Sequence, residues 1–208
     1  MLTKLQQRVY KKLNTPSKIQ DFINAIPANF ESNGETYMSP LRVLKINKAH
    51  CFEGAMFAAS VLRYHGKEPL LMDLRVQKPD QDHVVALFKV GKCWGAISKT
   101  NHAVLRFREP IYRTLRELAL SYFHEYFDNT TGKKNLREYS VSVNLSRFDS
   151  LEWETTDKDL WDMVDAVDEA RHFNLITNKQ AGLLRRAEKI EIAAGKITEW
   201  NKLGRRLQ

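Results

Sequence analysis

The sequence predicts an α+β fold, on three observations. Helix-patterned segments fill the first sixty-odd positions and culminate in a long apolar helix over 51–65. A meander of strand-patterned segments follows over 69–98, and helical patterns return toward the C-terminus.

Each element has its own local reason. In 3–13, Leu5, Val9 and Leu13 fall on one helical face. Thr15-Pro16 is a capping hydroxyl followed by proline at the first helical position, and Ile19, Phe22, Ile23 and Ile26 carry that helix to Pro27. Asn33-Gly34 marks 28–37 as a loop. Ser39-Pro40 repeats the start signal for a short helix through Val43, Leu44 and Ile46. In the next helix Ala55, Ala59 and Leu62, joined by Phe52 and Met56, form an apolar stripe, and Gly66 supplies a left-handed stop. Strands are expected at 69–76 and 82–90, separated by a polar turn at 77–81. Gly91-Lys92 then turns the chain into a return strand over 93–98. A helix is expected over 114–127, a strand over 139–143, and two helices over 157–173 and 179–203. The chain thus divides into a core domain at 1–150, with N-terminal helices, and a helical C-terminal extension at 151–208 packed on it.

Composition narrows the function classes. With 43% apolar and 28% charged residues in 208, the chain can bury a real core. Two cysteines, Cys51 and Cys93, make neither a disulfide framework nor a four-cysteine zinc site. No stretch approaches the roughly 18 apolar residues of a membrane span, and the N-terminus lacks the apolar run of a signal peptide, so a cytoplasmic setting without membrane contact is expected. The net charge of +8 permits an anionic partner. Residues 149–169 are strongly acidic and the chain beyond is basic, which suggests two oppositely charged helices pairing as a hairpin. No motif points to nucleic acid.

The chemistry centres on Cys51. It opens the apolar helix, where unpaired N–H groups and the dipole favour an anion, and the thiolate is the reactive form of cysteine. With Gly91-Lys92 as the turn, Val90 faces Cys93 and Val85 faces Ser98. Alternation then puts His83, Val85, Leu87, Trp94, Ala96 and Ser98 on one face, and Cys93 on the other as a core residue. Ser98 lies diagonal to His83 and Thr100 opposite it. Ser98, or Asn101 if the strand ends early, can hold one imidazole nitrogen and leave the other facing a thiol.

This arrangement resembles the transglutaminase-like core of the papain-like thiol enzymes. The matching positions are Cys51 and Ala55, then Leu62-Arg63 and Gly66, then His83 opening a strand and Trp94 ahead of the third catalytic position. The resemblance covers roughly residues 40–105, about a third of the chain. The resemblance implies a Cys-His-Asp triad that cleaves amides through a thioester, with no metal or organic cofactor. Two positions depart from the family pattern: Ser98 stands where an aspartate is usual, and Val85 where an aromatic is frequent.

The remaining candidates follow from these. The Cys51 N–H is one oxyanion donor, and Asn47 or Lys48 is a candidate second. Trp94 is placed with the substrate-binding residues. Arg106 and Arg108 serve either a salt-bridge network or a substrate's negative group. His50 reads as a flanking residue, because adjacent side chains on a helix diverge. His65 complements the helix dipole, and His102, His124 and His172 lack ligand spacing, so no metal is expected. The expected function is a thiol-dependent amide-bond enzyme acting on peptide or protein, by hydrolysis or acyl transfer. Cys51 is the nucleophile, His83 the base, and Ser98 or Asn101 orients the ring. The alternative is a catalytically silent module that binds an anionic partner.

Overall fold

The computed structural model describes residues 1–32, 34–78 and 80–207; Asn33 of the expected loop and Pro79 of the expected turn lie outside them. The N-terminal helices start where their caps dictate. They are α1 (Lys4–Tyr10) behind Thr3, α2 (Pro16–Ala25) behind Thr15 and α3 (Pro40–Ile46) behind Ser39, each cap oxygen accepting a first-turn N–H. Helix α4 (Cys51–Tyr64) follows and ends before Gly66, whose φ of 75° is the left-handed stop.

The sheet begins with β1 (Leu70–Val76), β2 (His83–Val90) and β3 (Cys93–Ile97). Then come β4 (Arg108–Tyr112), α5 (Leu115–Leu120), β5 (Leu136–Ser140), β6 (Val143–Asn144) and a 3-10 helix at Leu145–Leu151. The chain closes with α6 (Trp161–Asp168), β7 (His172–Asn174), α7 (Asn178–Ala181) and α8 (Lys189–Gly195). All strands join one antiparallel sheet in the order β4-β3-β2-β1-β5-β7, with β6 also on β1. The architecture is α+β.

The β2–β3 register is the one its turn dictates, from Val90 opposite Cys93 to Ala86 opposite Ile97. Val84, Ala86, Phe88 and Ile97 pack with α4 in one apolar cluster. Val85, Leu87 and Ala96 pack with Leu118 and Tyr122 in the other, so the sheet is covered on both faces. Cys93 is not a core residue: it is half-buried beside the turn, where the hairpin outruns the core and Val90 is 58% exposed.

Several elements differ from expectation. The 114–127 helix stops at Leu120, and Tyr122, Phe123, Tyr126 and Phe127 are buried from successive turns instead. The 139–143 strand begins at Leu136 and breaks before β6. Strand β4 was unexpected because it contains Pro110, which a sheet edge tolerates since no ladder hydrogen bond is lost on the outer side. The C-terminal half forms no helical hairpin. Of 179–203 only short α7 and α8 are helical, because Leu183, Ile190, Ile197 and Leu203 stay exposed and give a long helix no buried face. Nor is 151–208 a purely helical appendix, since β7 extends the main sheet and Trp153, Met163 and Val167 enter the main core. The acidic block pairs with core arginines, Asp159 with Arg42, Asp149 with Arg63 and Asp168 with Arg75, rather than with the basic tail. Among the described residues no helix is long and apolar enough to cross a membrane.

One close approach seats α4. A Cβ on Gly54 would stand 2.4 Å from Lys99 Cβ, so only glycine lets the chain beyond β3 cross the first turns of the helix this tightly. Lys99 is 2% exposed and its ammonium donates to the Ile23 and Ile26 carbonyls at 2.8 and 2.5 Å, ending α2. Burial lowers its pKa to about 8. Gly54→Ala is expected to destabilise the protein by about 1–3 kcal/mol, since the clash is with the root of a buried side chain. Urea unfolding followed by circular dichroism measures it; unchanged stability would contradict the close packing.

Candidate active site

The site is assembled from the start of α4 outward. His50 is the N-cap, with extended backbone (φ −89°, ψ −173°), and so lies just outside the helix. Its Nδ1 accepts the Phe52 N–H at 3.3 Å and its Nε2 meets the Thr36 carbonyl at 2.7 Å. A carbonyl only accepts, so Nε2 carries the proton. Glu53 completes the capping box by accepting the His50 N–H at 3.0 Å. Its carboxylate is fully buried, and it also accepts from the Thr36 hydroxyl, the Met38 N–H and the Asn29 amide at 2.9, 3.1 and 3.1 Å.

His83 enters from the first residue of β2, paired with Leu74 on β1. Its Nε2 is 2.8 Å from Ser98 Oγ, and Ser98 Oγ in turn donates to the Leu105 carbonyl at 2.5 Å. The one hydroxyl proton of Ser98 is thus committed, and Ser98 can only accept from His83, which places a proton on Nε2 and leaves Nδ1 as the free nitrogen. Leu105 sits at φ 60°, and its N–H donates to Glu125, which Arg108 clamps at 2.6 Å. The result is a continuous path of hydrogen bonds behind the His83 ring.

His50, Cys51 and His83 line the same cavity. Burial on its own raises the thiol pKa, but interaction with His50 and then His83, together with the charge those rings can carry, holds it well below the ordinary cysteine range. Burial on its own lowers the His50 pKa; contact with Cys51 and the charges of Cys51 and Glu53 outweigh it and raise it to about 9. The Cys51 N–H is the first of α4 and has no acceptor in its own helix. Two cavities meet at Cys51, His50, Gln81 and Asp82. One, of about 270 Å³, runs toward Thr100, Leu105 and Tyr126. The other, of about 300 Å³, runs toward Tyr37, Asp73 and Val164.

Of the residues expected here, Cys51, His83 and Ser98 are brought together and the others are not. Asn101 borders the cavity that runs toward Thr100, but its amide is used at both ends by the Trp200 backbone, at 3.0 and 2.8 Å, and does not touch His83. Asn47 ends α3 in the left-handed conformation (φ 58°) and borders, with Lys48, a separate depression near Lys202, so neither serves Cys51 as an oxyanion donor. Trp94 lies against the α5 cluster under the Lys89 ammonium, away from the cleft. Arg106 bridges the His102 carbonyl and Glu199, and Arg108 is held by Ser121 and Glu125 over the Tyr122 ring; both are structural clamps. His50 was expected to point away from Cys51, but the divergence of neighbours holds within a helix and His50 precedes it. The one sequence signal for His50 and Glu53 was the spacing of a capping box around the cysteine.

No known protein-family model matches the chain, and no curated protein sequence matches it.

A thiol with this environment ionises early, so its reactivity climbs with pH and levels off below the ordinary cysteine pKa of about 8.5. Iodoacetamide alkylation of Cys51, followed by mass spectrometry in a Cys93→Ser background, is expected to show that early plateau. His83→Ala should move the midpoint upward. A midpoint at the ordinary value in the parent would refute the electrostatic reading.

Proposed function

We propose that the protein is a thiol-dependent amide-bond enzyme with a papain/transglutaminase-like core. The observation that carries this reading is the path Leu105–Ser98–His83, which holds the ring in the cavity that Cys51 also lines. A ring held by Nε2 and open at Nδ1 is the geometry a base needs to serve a cysteine.

In this reading the Cys51 thiolate attacks the amide carbon, and the carbonyl oxygen becomes an oxyanion that the Cys51 N–H stabilises. The protonated His83 ring returns its proton to the departing amine, and a thioester forms. His83 then takes a proton from water, which attacks the thioester, releasing a carboxylic acid and restoring the thiol. An amine in place of water gives acyl transfer by the same steps. Ser98 offers a lone pair rather than a carboxylate, but that lone pair is strengthened because the hydroxyl proton is held by a carbonyl. The substitution of serine for the usual aspartate favours a second reading, a silent module of the same fold. A depressed Cys51 pKa argues for the enzyme.

A peptide vinyl sulfone, which needs an activated thiolate, is expected to label Cys51 and not Cys93. His83→Ala should slow labelling about 10²–10⁴-fold, the range of general acid–base contributions. Ser98→Ala should slow it less, by loosening the ring rather than removing it. Equal labelling of the His83→Ala variant would exclude the base and leave the silent module.

A further inference from the structure

The cavity at Cys51 that runs toward Tyr37 and Asp73, about 300 Å³, has a chemistry of its own. On a chain of net charge +8, its lining includes five carboxylates, Glu31, Glu35, Asp73, Asp82 and Asp168, and no lysine or arginine. Three of them converge: one carboxylate oxygen each from Asp73, Asp82 and Asp168 all lie within 4.8 Å of one another. Each is half used by the protein. Asp73 Oδ2 is held by His172 at 3.0 Å, Asp82 Oδ1 by the Val76 N–H at 2.7 Å, and Asp168 Oδ1 by Arg75 at 2.9 Å. The other oxygen of each has no protein donor among the described residues. For Asp73 this is costly, because the residue is 2% exposed and its Oδ1 is fully buried without a partner. His172 and Arg75 each offset one carboxylate, and Asp82 and Glu35 have no cationic partner among the described residues.

We infer that this cavity is a subsite for a primary alkylammonium group carried by the substrate beside the bond that Cys51 attacks. An ammonium has three N–H donors and no acceptor, matching three carboxylate oxygens. At N–H···O distances of about 2.8 Å, its tetrahedral donors spread three acceptors about 4.6 Å apart, inside the limit the three aspartates set. Val84, Val164 and Val167 line the same cavity and suit the hydrocarbon stem of such a group, as in a lysine side chain. A divalent metal fits less well, since the valines beside the carboxylates offer it nothing. The inference rests on the amide-bond reading only for the word substrate; the subsite itself does not need a working base.

The test separates the two. In the Cys93→Ser background, Cys51 is modified with 2-aminoethyl methanethiosulfonate, which is cationic, and with its 2-sulfonatoethyl counterpart, which is anionic. In both, the thiolate attacks the sulfenyl sulfur, forms a disulfide and expels methanesulfinate. The cationic reagent is expected to react at least about tenfold faster, the lower end of electrostatic focusing in a charged cleft. The double variant Asp82→Asn, Asp168→Asn, whose amide oxygens keep the Val76 and Arg75 contacts, should bring the ratio near unity. Slow modification by both reagents with the ratio intact would count against base activation but support the subsite. Fast modification with no charge preference would overturn the subsite and leave the enzyme reading standing. Calorimetry of the Cys51→Ala protein supplies a second readout. Expected is binding of n-pentylammonium that the double variant loses; binding of Mg²⁺ or Ca²⁺ without n-pentylammonium would overturn the assignment in favour of a metal.

Discussion

A charge in the interior organises this site. Glu53 is fully buried one turn into α4, and a carboxylate there is tolerable only if its oxygens are met. Four donors meet them: the His50 and Met38 N–H groups, the Thr36 hydroxyl and the Asn29 amide. Three of the four come from the segment between α2 and α3, whose described residues form no helix or strand. Glu53 is therefore what fastens that segment over the helix start. Once Thr36 is fixed, its carbonyl holds His50 Nε2, and the ring is set beside Cys51. A hydrogen bond to a charged group is worth about 1.5–3 kcal/mol, so each of these donors matters. The same contacts that cap the helix therefore build one wall of the site.

The opposite wall solves a different problem. With Ser98 in the third position, nothing charged touches the His83 ring from behind. Instead the path continues through the Leu105 carbonyl, aimed by a left-handed backbone, to Glu125 and Arg108. Each link is neutral or already paired, so the ring is oriented without a full counter-charge. On the proposed reading, His83 is the ring that serves the sulfur, and His50 stands on the other side, held by Thr36.

The parts of this arrangement that were legible beforehand are those governed by short-range rules. Caps at Thr15 and Ser39 and the Gly91-Lys92 turn declare themselves locally, and the turn alone sets the β2–β3 register and puts Ser98 within reach of His83. What was hidden depends on distant partners. Arg106 and Arg108 look alike in sequence, yet their partners, Glu199 and Glu125, lie 93 and 17 positions away. Asn101 is equally able to orient an imidazole, but it is taken by Trp200, which no local pattern connects to it. The basic C-terminal stretch has the composition of a helix and lacks the buried face that would make it one. Gly54 gave the least warning, since a glycine in a helix is ordinarily a cost and here is the condition for Lys99 to pass.

Charge is segregated in a way that composition conceals. Four of the acids of 149–169, Asp149, Glu154, Asp159 and Asp168, are paired with Arg42, Arg63 and Arg75 rather than with the basic tail. Carboxylates with no cationic partner among the described residues, Asp82 and Glu35, face the thiol cavity instead. By Coulomb's law these acids oppose a thiolate, so the depressed Cys51 pKa exists despite them and is owed to the two imidazoles. A cation entering the acidic cavity would cancel that opposition and favour the thiolate further. On the proposed reading, binding of a cationic group and ionisation of Cys51 would be coupled through one short stretch of electrostatics.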